Sequence, residues 1–84
     1  MDVEEYAWVK ASDNREQVLF LIANKPRPPK EISEETDYYL THVSNTLSDL
    51  EQHGLAECLT PDRRKGRLWA LTESGEALVD DLQE

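Results

Sequence analysis

The chain holds a single cysteine, Cys58, in 84 residues, which excludes an internal disulfide framework. No cationic side chain beside it in sequence would stabilise a thiolate, so Cys58 is expected to be a small apolar group on a strand. No apolar run approaches the roughly 20 residues that a helix needs to cross a bilayer. The opening residues, Met1-Asp2-Val3-Glu4-Glu5, lack the basic-then-apolar plan of a signal peptide, so a cytoplasmic location is expected. Repeats, low-complexity segments and linker-like stretches are absent as well. Residues 1–84 are therefore expected to form one domain, with a modest core, since so short a chain buries only about 60% of its unfolded surface.

Recognisable catalytic equipment is missing too. There is no Walker-type phosphate loop, no pair of histidines at metalloprotease spacing and no nucleophile elbow, so no enzyme activity and no catalytic residue are expected. His42, His53 and Cys58 do not form a short-spacing ligand set, and neither a metal nor another cofactor is expected. The many carboxylates are expected to solvate the surface.

Positive charge is scarce: nine Lys and Arg stand against 18 Asp and Glu, for a net charge of −9. Such a balance argues at first against a polyanionic partner, whose phosphates are held by Lys and Arg. The distribution matters more than the sum. Residues 1–24 carry −3, residues 43–60 carry −3 and residues 68–84 carry −5, whereas residues 61–67 carry +3. Four of the nine cations lie in Arg63-Arg64-Lys65-Gly66-Arg67, and three more, Lys25, Arg27 and Lys30, lie in one short stretch. An acidic body with two basic islands fits a polyanion binder. The acid excess also fits a high-salt cytoplasm of halophilic archaeal type, where the Debye length falls to about 3 Å and self-repulsion is screened.

The hydrophobic pattern sets the elements. Residues 3–10 suit a short helix with Val3 and Ala7 on one side, joined by Tyr6 and Trp8. Asp13 with Glu16 three residues on resembles a capping box, opening a helix over residues 15–24 with Val18, Leu21 and Ile22 in a stripe widened by Leu19. Pro26, Pro28 and Pro29 end it, and proline in the first turn opens a second helix over residues 29–36, anchored by Ile32. Asp37 is the turn. In residues 39–53, Leu40, Val43, Leu47 and Leu50 make one apolar stripe, and Gly54 with Leu55 closes the helix. Strands over residues 56–60 and 67–72 flank a polar loop over residues 61–66. Thr72 caps a last helix over residues 73–82, with Leu78, Val79 and Leu82 inward. Of the adjacent Tyr38 and Tyr39 at least one is expected to pack inward, and Trp8 and Trp69 are expected as core aromatics.

These residues carry a family likeness. Ile32-Ser33-Glu34-Glu35-Thr36-Asp37, His42-Val43-Ser44-Asn45-Thr46-Leu47 and Leu50-Glu51-Gln52-His53-Gly54-Leu55 resemble the helix-turn-helix of archaeal MarR/ArsR-like winged-helix regulators. Cys58-Leu59-Thr60-Pro61, Arg63-Arg64-Lys65-Gly66-Arg67-Leu68 and Leu71-Thr72-Glu73-Ser74-Gly75 are similar to that family's wing and entry into its last helix. The likeness covers about residues 14–82. It implies an α+β winged helix-turn-helix fold, with three helices, a two-stranded hairpin wing and a C-terminal helix. It also implies a sequence-specific regulator of transcription that binds double-stranded DNA, its third helix reading bases while the wing holds the backbone.

Projection at about 100° per residue sets Tyr38, Thr41, His42, Asn45, Ser48, Asp49 and Gln52 opposite the apolar stripe. Thr41, His42, Asn45, Ser48 and Asp49 are the base-reading candidates: Asn can pair bidentately with adenine, Thr can touch the thymine methyl, and Asp can accept from cytosine N4. Tyr38, Ser44, Lys30, Arg63, Arg64, Lys65 and Arg67 are the candidates for the DNA backbone. No Lys or Arg lies between Tyr38 and Gln52, which lowers the affinity expected of the helix itself. A homodimer joined through residues 3–8 or 78–82 would set half-sites about 34 Å apart. The same surface would also suit docking onto a protein of transcription or repair machinery, and only a preference for duplex separates the two.

Overall fold

Seven elements follow one another in the computed structural model, which describes residues 3–83: α1 (Val3–Lys10), α2 (Asp13–Asn24), α3 (Pro29–Thr36), α4 (Leu40–Gln52), β1 (Ala56–Cys58), β2 (Trp69–Leu71) and α5 (Glu73–Leu82). Met1, Asp2 and Glu84 of the expected domain lie outside the described residues. Three helices, an antiparallel hairpin and a returning helix make an α+β winged helix-turn-helix, with α1 added in front. No helix among the described residues is long and apolar enough to cross a membrane.

The core forms where α2, α3 and α4 converge. Val18, Leu19, Ile32, Val43, Leu47 and Leu50 have no exposed surface, and each large side chain so buried is worth about 1.5–3 kcal/mol. Leu78 and Val79 of α5 complete the core, and Trp69 closes it from the hairpin. Two expectations fail within the helices. In α1 the buried residue is Val9, whereas Val3 and Ala7 face outward. In α4 the fourth inward residue is Thr46, and Leu40 is 50% exposed. Leu40, the first helical residue, instead lines a groove with Pro28, Pro29 and Trp69.

The helix ends follow elementary capping chemistry. α2 begins at Asp13, and its N-cap is Ser12, whose side chain accepts from the Arg15 N–H at 3.4 Å. The Asp13–Glu16 box is thus displaced by one residue, and Glu16 pairs with Lys10 at 3.6 Å instead. At the end of α4, Gly54 adopts a left-handed φ of 74°. Its N–H donates to the Glu51 carbonyl and that of Leu55 to the Leu50 carbonyl, both at 2.9 Å, and Leu55 packs in the core. This is the paired bonding of a Schellman end. Thr72 caps α5 as expected, accepting from the Gly75 N–H at 3.1 Å.

The hairpin is shorter than expected. Ala56 lies opposite Leu71, Glu57 opposite Ala70 and Cys58 opposite Trp69. Leu59 still donates to the Leu68 carbonyl at 2.8 Å, but regular pairing stops there because the Leu68 N–H turns to the Thr60 hydroxyl at 2.9 Å. A one-residue bridge flanks the sheet: Arg27 and Trp69 exchange both backbone bonds at 3.0 Å. That bridge buries Arg27, whose Nε donates to the Leu21 carbonyl at 2.7 Å and whose terminal nitrogen lies 2.6 Å from Glu31. Lys25 also reaches Glu31, at 3.8 Å. The expected basic island of Lys25, Arg27 and Lys30 is therefore dissolved: Arg27 is structural, Lys25 is paired, and Lys30 is exposed.

Candidate nucleic-acid interface

The outer face of α4 is held from three sides. At its start, Asp37 takes a left-handed φ of 65° and donates its N–H to the Ser33 carbonyl at 3.1 Å, ending α3. The Ser33 hydroxyl donates to the Tyr38 carbonyl, and the Tyr38 N–H donates to the Thr36 hydroxyl at 3.3 Å. Three hydrogen bonds among four residues thus hold the turn between the two helices. On the inner side, Val43, Leu47 and Leu50 anchor the helix, and Thr46 bonds Asn14 of α2. At its end, the His53 ring stacks on Trp8 with centroids 3.6 Å apart, and its Nδ1 lies 2.8 Å from the Glu5 carboxylate. The Arg15 guanidinium sits 4.2 Å from the Trp8 ring centre and donates to its carbonyl at 2.9 Å. Trp8 is half-buried, linking α1, α2 and the end of α4, while Trp69 is buried in the core.

Thr41, His42, Ser44, Asn45, Ser48 and Asp49 are all exposed. They divide between two flanks of the helix. Thr41, His42 and Asp49 line a shallow depression together with Ser12 and Arg15 from the start of α2. Ser44 and Ser48 face a groove whose far side is the wing, with Arg64, Lys65 and Arg67, and whose near end is Lys30 at the start of α3. Asn45 borders both depressions. Lys30 therefore joins the wing cations around one groove, although more than thirty positions separate them in sequence.

The wing loop stays close to the helix without regular strand structure. Gly66 has a φ of 66°, which lets the chain reverse, and the Arg67 guanidinium donates to the Arg63 carbonyl. Arg63, Arg64, Lys65 and Arg67 are exposed, and none makes an ion pair among the described residues. Their charge is thus open to an external anion.

The two tyrosines behave oppositely. Tyr38 is half-buried against the core, with its ring 5.5 Å from that of His42, whereas Tyr39 is 85% exposed. Tyr39 and Leu40 are the large exposed side chains at the leading end of α4, and sequence patterning did not single out Leu40 for this surface. The available signal was positional: Tyr39 is the N-cap of α4 and Leu40 its first residue. Among the described residues, no group of His, Cys, Asp or Glu is placed to hold a metal.

No family model matches the chain, and no curated protein matches it either. Solved structures do. A MarR family regulator from Neisseria meningitidis superposes with a TM-score of 0.77 at 29% identity, over 92% of this chain and 58% of that one. The homodimeric winged helix-turn-helix DNA-binding domain of a possible ArsR-family transcriptional regulator from Mycobacterium bovis gives 0.76 at 28% identity, over 96% and 74%. ZitR from Lactococcus lactis, in complex with DNA, gives 0.72 at 23% identity, over 82% and 51%. The chain therefore has MarR- and ArsR-family winged-helix regulators as structural neighbours. It spans only 58% of the Neisseria protein and about half of the Lactococcus one.

Proposed function

We propose that this chain is a sequence-specific, double-stranded DNA-binding domain of a transcription regulator, residues 1–84 forming one unit without enzymatic activity. α4 lies in the major groove, with Thr41, His42, Asn45, Ser48 and Asp49 toward base edges. Ser44, Lys30, Arg63, Arg64, Lys65 and Arg67 meet phosphates on the wing side, and the hydroxyl of Tyr38 or of the more exposed Tyr39 meets a further one. The supporting observation is the groove between α4 and the wing. In a protein of net charge −9, it gathers Lys30, Arg64, Lys65 and Arg67 beside an exposed helix face. The DNA-bound ZitR shares the fold, and the Neisseria and Mycobacterium neighbours are a MarR family regulator and a possible ArsR-family regulator.

Titration of a labelled duplex against salt tests the proposal. Affinity should fall log-linearly with salt, with a slope of about 0.9 per phosphate contact, and selection from random duplexes should return a motif. Absence of any duplex preference would favour the docking module, which the lack of Lys and Arg on α4 and the exposed Tyr39 and Leu40 also suit. A homodimer through residues 3–8 fits this function better than one through residues 78–82, because Leu78 and Val79 serve the chain's own core. Sedimentation as a monomer at the concentrations used for DNA binding would oppose dimerisation. The acid excess supports a high-salt cytoplasm of archaeal type. An unfolding midpoint that fails to rise between dilute and molar KCl would count against that setting.

A further inference from the structure

We infer that Leu40 reads a thymine methyl group in the major groove, an inference that rests on the proposed DNA-binding function and adds an apolar reader to its polar ones. Single exposed apolar side chains are ordinary on protein surfaces. Leu40 is distinguished by its surroundings. It is half exposed in the first turn of α4, the end that approaches base edges in helix-turn-helix proteins. Ser44 and Ser48 follow at successive turns on the same side, so Leu40, Ser44 and Ser48 form one line facing the wing. Lys30, Arg64, Lys65 and Arg67 surround that line with positive charge.

A surface of this kind selects its occupant by charge and shape together. The cations and Ser44 call for phosphates on the rim, and Ser48 for a hydrogen-bonding edge beside it. The leucine calls for an apolar group at the depth of the bases. The major-groove edge of duplex DNA offers such a group in the C5-methyl of thymine, which apolar side chains contact. The helix start is held by the bonds around Asp37 and Tyr38, so Leu40 is presented from a fixed position.

The test leaves the protein unaltered in its first arm. In the duplex returned by selection, each thymine is replaced singly by uracil, which removes the methyl and keeps base pairing. One replacement should weaken binding by about three- to fivefold, the worth of one buried methyl. In Leu40→Ala the penalty at that same position should disappear, while binding to non-specific duplex and the salt slope stay as in the wild type. A selected site that tolerates uracil at every thymine, or a penalty that persists in Leu40→Ala, overturns this inference and leaves the DNA-binding function standing. Absence of any sequence preference overturns both.

Discussion

Asn14 of α2 and Thr46 of α4 are hydrogen-bonded to each other inside the helical core, 32 positions apart in the chain. The Thr46 hydroxyl also lies 3.0 Å from the His42 carbonyl, and it has one proton to give. Its partner on Asn14 is the carbonyl oxygen Oδ1, which accepts from the hydroxyl, while the buried Asn14 Nδ2 has no hydrogen-bond partner among the described residues. Both residues are nearly inaccessible to water, at 8% and 6% exposure, so neither has solvent as a substitute partner. Thr46→Val keeps the side-chain shape but leaves Asn14 Oδ1 buried without its donor, at a cost of about 1–3 kcal/mol. Asn14→Leu combined with Thr46→Val should cost less than the two single changes together, because the pair then vanishes as a unit. Urea unfolding of the four proteins measures this coupling. Strictly additive costs would mean that the pair does not tie α2 to α4.

Gly75 is the contact point between α5 and the start of the hairpin. A Cβ at this position would lie 2.1 Å from the Leu55 carbonyl oxygen, a backbone atom that cannot swing aside. Leu55 is also held from the other side by its bond to Leu50 and by accepting from the Thr72 N–H at 3.1 Å. Gly75→Ala should therefore destabilise by about 1–3 kcal/mol through overpacking, although alanine is the better helix former. Thermal unfolding checks the sign. A stability equal to or above that of the wild type would show that α5 can move off β1 freely.

Arg27 and the wing arginines have the same charge and opposite expected behaviour. Arg27 is spent on the Leu21 carbonyl and Glu31, so Arg27→Ala should lower stability by about 1.5–3 kcal/mol while leaving the salt slope of DNA binding unchanged. Arg63→Ala with Arg64→Ala should do the reverse. Stability stays put, all duplexes are bound more weakly alike, and the slope falls by about 0.9 for each phosphate no longer neutralised. Paired unfolding and salt titrations separate the two outcomes. A slope that Arg27→Ala changes and the wing variant does not would invert the assignment.

Most of the fold was legible because its signals are local and redundant. The spacing of Val43, Leu47 and Leu50, the proline stop before α3, Gly54 after α4 and Thr72 before α5 each carry their own chemistry. What escaped depends on partners distant in the chain. The sequence offers no partner for Thr46 until Asn14 is placed beside it, and Arg27 reads as a free cation until the bridge to Trp69 buries it. Leu40 continues the apolar stripe in projection, yet opens onto the groove that faces the wing. The polar candidates on α4 were recoverable because helical period alone turns them outward. Their convergence with Lys30 on one groove was not, since nothing local to Lys30 announces the wing.

Asn45 is the residue on which base reading should depend most. It is exposed on α4 and borders both the depression lined by Thr41 and His42 and the groove facing the wing. No Lys or Arg on the helix competes for the role. Its amide can donate to and accept from adenine at once, a pairing that Thr41, His42, Ser48 and Asp49 cannot offer. Asn45→Ala removes an exposed side chain from a helix and introduces the better helix former, so stability should change by no more than about 0.5 kcal/mol. Affinity for the selected site should nonetheless fall by about 1–3 kcal/mol, with preference relaxed at one base position, adenine by this chemistry. Binding to non-specific duplex should survive, because the wing and Lys30 supply it. Selection from random duplexes with wild type and variant measures the change directly. Identical motifs from the two proteins would remove Asn45 from the reading set and shift the weight of specificity to Thr41, His42 and Leu40.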